Sequence, residues 1–487
     1  MGENYGKKTA SGMIWKFGER FIAQMVSLVV SIILARILTP DDYSVVGIVT
    51  IFFTFSNVLI TSGLNTALIQ KKKSDPEDYS TVLSVSIAIA IVLYLILFLS
   101  APLIADLYKQ PLLIPIFRIM GIVLLINAVK SVLCAYISVR LEFKKFFFST
   151  IGGTLVSAVV GITMAKHGMG AWALVAQQMT NSFIDTAILF LTTHYRISFK
   201  VVPERLKALY SYGWKIFLSD LINTVYDEIN PLIIGLKYKP SDLSFYTKGR
   251  SFPSILNSSI SDTFAAVLFP VMSKIQDDKQ RLLQYTRMYI KVASYMIFPV
   301  LFGFFAVSDS FIAILLGKHW LPAADYIRIF CLSYMFNILT KGNLQVIKAI
   351  GRSDIHLILE IIKKVSFLIV IIAFLFVAKT PVFFAYASIV NSVIALLVNT
   401  YPNKKLIGYD IKTQLLDIMP NFIIALIMGV SIYMMNYIVI NRIVLLCLQI
   451  VSGALIYLML SFVVKPEGFT KSFSIIKKTI RGDKNEE

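Results

Sequence analysis

The sequence predicts an all-α integral membrane protein. About fourteen transmembrane helices are expected, as two pseudo-symmetric six-helix lobes around a central cavity plus two peripheral helices. Three observations predict this. Hydrophobic residues make up 57% of the 487 and charged residues 15%, and the mean hydropathy is +0.73, well away from soluble domains. Apolar stretches of roughly 20 residues, the length that crosses a hydrocarbon core of about 30 Å, recur from end to end. A polar-striped helix leading into a Pro-x-Asp-x-Ser motif also occurs twice.

The first span, 11–38, carries Lys16, Glu19, Arg20, Gln24, Ser27 and Ser31 and leads to Pro40-Asp41-Asp42-Tyr43-Ser44. Steps of three and four place such residues on one side of a helix. Spans 42–63 and 80–106 follow. The fourth, 112–139, carries Arg118, Asn127 and Lys130, and spans 146–166 and 169–193 complete an N-terminal lobe over 1–207.

The seventh span, 209–236, repeats the first. Gly213-Trp214-Lys215 stands where Gly12-Met13-Ile14-Trp15-Lys16 stood, a stripe runs through Ser219, Asn223, Tyr226, Asp227 and Asn230, and Pro240-Ser241-Asp242-Leu243-Ser244 closes it. The eighth, 243–272, holds Lys248, Arg250, Asn257 and Asp262 and is interrupted by Pro253 and Pro270. After 284–307, the tenth span, 322–350, places Tyr334, Asn337, Lys341, Gln345 and Lys348 at helical steps. Spans 355–378 and 381–400 complete a C-terminal lobe over 208–412. The last two, 417–440 and 442–464, have no ionisable residue from Phe422 to Ile440 or from Ile443 to Val464, which suits a peripheral pair over 413–465 before a basic tail, 466–487. An even number of spans per lobe relates the lobes by an axis along the membrane normal.

Lys and Arg accumulate on the cytoplasmic side of membrane proteins. Here they concentrate in the even-numbered loops, among them Lys71 to Lys73, Lys144, Lys145, Lys200, Arg205, Lys404 and Lys405, so both termini are expected to be cytoplasmic. This distribution accounts for most of the net charge of +19, and no nucleic-acid partner is expected. The tail lysines are expected to rest on anionic membrane lipids. The N-terminal stretch is long and charged, so it reads as a first transmembrane helix and not as a removable signal.

Cys134, Cys331 and Cys447 sit at unrelated positions, and His167, His194, His319 and His356 are scattered without a ligand spacing. No metal or cofactor is expected. No Gly-x-x-x-x-Gly-Lys-Ser/Thr loop occurs, so nucleotide-driven transport is not expected either.

An ionised side chain at mid-bilayer costs roughly 2.5 to 3.5 kcal/mol on insertion scales. Lys16, Glu19 and Arg20 therefore face protein or water, unless Lys16 snorkels to the interface and the other two form a structural pair. Arg118 and Lys348, near span ends, fit cavity and interface equally. A cavity lined by Lys and Arg suits an anionic group such as phosphate or pyrophosphate. The acids Glu19, Asp220, Asp227, Glu228 and Asp262, expected to be buried, fit two roles: balancing those charges or taking up a coupling cation, H+ or Na+.

The run Ile33-Leu34-Ala35-Arg36-Ile37-Leu38-Thr39-Pro40-Asp41-Asp42-Tyr43-Ser44 resembles the opening of polysaccharide transporters (Wzx-type flippases) of the MOP exporter superfamily. The segment Gly235-Leu236-Lys237-Tyr238-Lys239-Pro240-Ser241-Asp242-Leu243-Ser244-Phe245-Tyr246 resembles their mid-chain counterpart. The family commonly has Gly where this chain has Thr39, Lys239, Ser44 and Ser244. The resemblance implies a bacterial inner-membrane flippase of two lobes that open alternately to each side. Its substrate would be an undecaprenyl-pyrophosphate-linked oligosaccharide destined for lipopolysaccharide, capsule or exopolysaccharide. By position, Lys16, Arg20, Lys215, Arg250 and Lys341 are the candidates for pyrophosphate contact.

Two other readings compete. A cation-coupled multidrug exporter of the same superfamily would rely on its buried acids more than on basic stripes. A membrane enzyme acting on lipid-linked glycans would need paired acids or a nucleophile and base in an outer loop; the one acidic pair near the outer face, Asp41-Asp42, follows a repeated Pro and reads as a helix cap.

Overall fold

The computed structural model describes residues 2–61, 63–71, 74–140, 142–193, 195, 198–438 and 441–471, with side chains except at 2–14, 16, 17, 20, 21, 262–267, 269, 270 and 353. Among these residues the chain forms seventeen α-helices, two short 3-10 turns and no strand. Among the described residues eight helical segments are long and apolar enough to cross a membrane. This is a multi-pass membrane protein.

The chain divides into two compact units, Met1–Ser244 and Phe245–Glu487. The first holds α1 (Gly2–Ile37), α2 (Pro40–Thr61), α3 (Leu64–Gln70), α4 (Pro76–Tyr108), α5 (Leu113–Met120), α6 (Ile122–Arg140), α7 (Lys144–Lys166), α8 (Ala171–Thr193) and α9 (Pro203–Lys237). The short α3 was not expected. Nor was the division of the fourth span at Gly121, where a Cβ would lie 2.2 Å from the Tyr94 ring of α4. Tyr94 fills that break and donates its hydroxyl to the Arg118 carbonyl at 3.0 Å. Arg118 itself is exposed and stacks over Phe98, 4.7 Å from the ring centre.

The repeated Pro motifs are helix starts. Thr39 and Asp42 form a reciprocal cap at α2: the Asp42 carboxylate accepts from the Thr39 amide at 2.9 Å and the Asp42 amide donates to the Thr39 hydroxyl at 3.3 Å. At the second motif Lys239 has no acceptor side chain, so only half the cap forms, from the Lys239 amide to Asp242 at 3.2 Å. The two motifs also meet, the Ser244 hydroxyl donating to the Pro40 carbonyl at 2.6 Å.

In the structure α9 packs on α2, α3 and α4, so the first unit extends to Ser244. Close approach explains the packing: Gly63, at φ +66°, lies against Gly213 of α9, and a Cβ there would fall 2.1 Å from the Gly213 carbonyl oxygen. The chain entering α9 is strapped to the start of α4. Ser80 and Thr81 both donate to the Lys200 carbonyl at 3.3 Å, the Val202 amide donates to Thr81, and Arg205 pairs with Asp75 at 3.2 Å. The fully buried Asp78 accepts from Lys71 at 2.6 Å.

The second unit takes in most of α10 (Pro240–Lys274), then α11 (Lys279–Leu315), α12 (Ala323–Met335), α13 (Asn337–Ala349), α14 (Ser353–Val377), α15 (Val382–Ile407), α16 (Ile411–Met434) and α17 (Arg442–Val464). The tenth expected span is thus two helices, broken at Phe336. α11 is the centre of this unit, with α12, α13, α16 and α17 packed on it. Buried amides cross-link α13, α15 and α16: Asn343 donates to Gln414 at 2.8 Å and Asn403 donates to Asn343 at 2.9 Å. Arg287 of α11 grips Asp417 of α16 through two bonds of 2.7 Å, which Tyr409 joins at 2.8 Å.

Candidate functional site

Within the first unit the polar stripe of α1 runs from a buried Glu19 to an exposed Gln24 and Ser27. Glu19 is buried, 8% exposed, and accepts from the Thr150 hydroxyl of α7 at 3.2 Å. It stands at one end of a cavity of about 290 Å3 walled by Gln24 and Ser27 of α1, Thr154 and Ser157 of α7, and Gln177 and Asn181 of α8. The spacing of Glu19, Gln24 and Ser27 was legible as a stripe, and the structure gives that stripe a polar partner surface.

A second cavity, of about 230 Å3, lies between α2, α6 and α8. Thr50, Thr54 and Asn57 line it from α2, Asn127 from α6, and Gln178, Asn181 and Ser182 from α8; Asn181 therefore lines both. Asn127 donates to Asn57 at 3.0 Å, and Asn181 donates to Ser157 at 3.3 Å. Thr50 and Thr54 return their hydroxyl protons to carbonyls of their own helix, at 2.8 and 2.9 Å. One turn further along both helices, Lys130 of α6 pairs with Asp185 of α8 at 2.6 Å. Asp185 is 5% exposed, while the Lys130 side chain is 31% exposed, so the pair is buried on its acidic side.

Sequence reasoning missed the α8 side of this tract. Gln177, Gln178, Asn181, Ser182 and Asp185 recur at steps of three and four, the same signal that marked α1. Lys130 was identified, but without a partner.

The predicted residues come together only in part. The side chains of Lys16, Arg20 and Asp262 lie outside those described. Lys215 is exposed on α9, 6.0 Å from the Trp214 ring centre. Asp220 and Asp227 were expected to be buried; they are exposed, and Glu228 is half-buried. The reason is that α9 spends its buried face, which includes Leu209, Gly213, Thr224 and Asn230, on packing within its unit. Arg250 of α10 and Lys341 of α13 are half-buried in the second unit. Among the described residues, no group of three or more His, Cys, Asp or Glu side chains is placed to hold a metal ion.

Comparison with known proteins follows the same lines. The chain is 25% identical over 301 residues to the succinoglycan biosynthesis transport protein ExoT of Rhizobium meliloti (strain 1021), covering 62% of this chain and 61% of that one, so the match spans less than two thirds of ExoT. It is 23% identical over 360 residues to the teichuronic acid biosynthesis protein TuaB of Bacillus subtilis (strain 168), covering 72% and 73% of the two. Its fold is similar to that of the lipid II flippase MurJ in an inward closed conformation, with a TM-score of 0.75 over 93% of this chain and 98% of that one at 14% identity. The model of the polysaccharide biosynthesis protein family matches residues 33–325, from the end of α1 into α12 and across both capping motifs. The chain belongs to that family.

Proposed function

We propose that the protein is a flippase that carries undecaprenyl-pyrophosphate-linked oligosaccharide repeat units across the bacterial cytoplasmic membrane by alternating access. The observation that carries this reading is the family match over 33–325. A relative named as a transport protein and a fold similar to that of a flippase support it. Polar side chains inside membrane spans mark substrate or ion paths, and the first unit has a connected set of them.

On this reading all fourteen expected spans cross the membrane. Spans one to six and seven to twelve act as the moving lobes, α16 and α17 are peripheral, and both termini are cytoplasmic. Lys16, Arg20, Lys215, Arg250 and Lys341 contact the pyrophosphate, where positive charge is matched to the anion. Glu19, Asp220, Asp227, Glu228 and Asp262 balance that charge or take up H+ or Na+.

The test is the lipid-linked glycan of a strain lacking the gene, compared with strains carrying Arg20→Ala or Lys215→Ala. Completed repeat units should accumulate facing the cytoplasm, and both substitutions should reproduce the block. Normal glycan export combined with new sensitivity to cationic drugs would replace this reading with the multidrug exporter.

A further inference from the structure

We infer that the tract of carboxamides and hydroxyls between α1, α2, α6, α7 and α8 binds the sugar of the lipid-linked substrate, through groups other than the cationic residues that meet its pyrophosphate. The inference rests on the flippase reading and adds to it the place where the glycan is recognised.

The chemistry of the tract selects the ligand class. Its polar side chains are carboxamides and hydroxyls, with one carboxylate, Glu19, and Ala23, Val30, Phe53, Met120 and Val123 complete the walls. An anion would need basic side chains there. On α6 and α8 the nearest, Lys130, is already paired with Asp185, and on α1 Arg20, whose side chain lies outside those described, is assigned above to the pyrophosphate. A lipid chain would leave these amides unbonded, at a cost for each. A sugar hydroxyl both donates and accepts, and a carboxamide presents the matching pair of groups.

Vacant bonding capacity supports the same conclusion. Among the described residues the half-buried side chains of Gln178 and Ser182 have no hydrogen-bond partner, and neither do those of half-buried Gln177 and exposed Gln24 of the adjoining cavity. The Asn57–Asn127 bond uses one donor and one acceptor, leaving the other amide group of each residue open to the cavity. Such groups inside a membrane protein are costly unless something polar occupies the space between them. At about 230 and 290 Å3 each cavity alone falls short of the roughly 300 Å3 at which small-molecule sites begin. With Asn181 as their shared wall, the two together reach the size of a site for one or two sugar rings.

The experiment uses the full-length protein in lipid nanodiscs and two probes. One is undecaprenyl pyrophosphate, which has no sugar; the other is the lipid-linked oligosaccharide extracted from a strain lacking the gene. The wild type should bind the glycosylated probe at least about tenfold more tightly. Asn181→Leu and Gln178→Leu should bring the two affinities to within about twofold of each other. Lys215→Ala should weaken both probes and preserve their ratio. Gln178 makes no bond within the protein, so its variant remains informative if Asn181→Leu fails to fold. A wild type without preference, or variants that keep it, overturns the sugar site and leaves the flippase reading standing. A wild type that binds neither probe overturns both.

Discussion

Asp417 shows how one acid can hold a helix in place. It is 7% exposed at its side chain and takes two bonds from Arg287, one from Tyr409 and an ion pair from Lys291 at 3.2 Å. Asp417→Asn keeps the shape and removes the charge. It should lower stability by about 2 kcal/mol, the scale of a charged hydrogen bond, read as an earlier thermal unfolding in detergent. Lys291 also binds Glu467, just beyond α17, at 2.8 Å. That ammonium, with Lys471 more distant at 4.0 Å, holds the Glu467 carboxyl below its ordinary value of 4.5, against the opposing charge of Asp417. A depressed acid contributes its stabilisation above the free value and loses it as pH falls through the lowered one. The segment 466–471 should therefore stay docked on α11 from neutral pH down to the free glutamate value and release below it. A fluorophore on Thr470→Cys in a cysteine-free background checks this: emission should be steady at neutral pH and change only in acid. Neither pairing was legible, because the partners lie 130 and more residues apart in the chain. Asp185 is different: its spacing from Asn181 was visible, and only its pairing with Lys130 required three dimensions.

At the scale of elements the repeated motif was read correctly as a cap, and its asymmetry gives a test. Thr39 completes a capping box at α2; Lys239 does not at α10. Thr39→Ala should cost about 1 kcal/mol, and Lys239→Thr should gain some fraction of the same amount by completing the second box. Thermal unfolding of the pair of variants, with opposite signs of shift, checks both. The crossing of α9 over the α2–α3 turn is a second element-scale claim. Gly63→Ala places a methyl on the Gly213 carbonyl and an L-residue at φ +66°, so it should destabilise by at least about 2 kcal/mol. Gly408→Ala is the control: it has a similar φ of +72° with nothing within 4 Å, and should cost only the backbone strain, about 1 kcal/mol. Equal losses in the two would remove the close crossing from the account. The sequence showed Gly213 as part of a repeat but gave no reason for it. The reason is a contact with a turn that hydropathy absorbed into a longer span.

For the whole molecule, hydropathy and helical spacing were enough to recover the class of fold, because a membrane leaves the backbone few ways to satisfy its hydrogen bonds. They did not reveal where helices break. Gly121 and the Phe336 junction interrupt apolar runs that read as continuous, since a break is set by what packs into it, as Tyr94 does. The burial of α9 was likewise misread: its acids form a stripe, and which side of the stripe is covered depends on α2, α3 and α4. Transport by the protein alone is measured in a reconstituted membrane. The purified protein is reconstituted in liposomes holding its lipid-linked oligosaccharide in both leaflets, and a membrane-impermeant glycosidase or oxidant is added outside. The account expects inner-leaflet glycan to be consumed in protein-containing liposomes and spared in empty ones, with Lys215→Ala slowing that consumption. Consumption that stops at the outer-leaflet pool in both, with the protein folded, would contradict it.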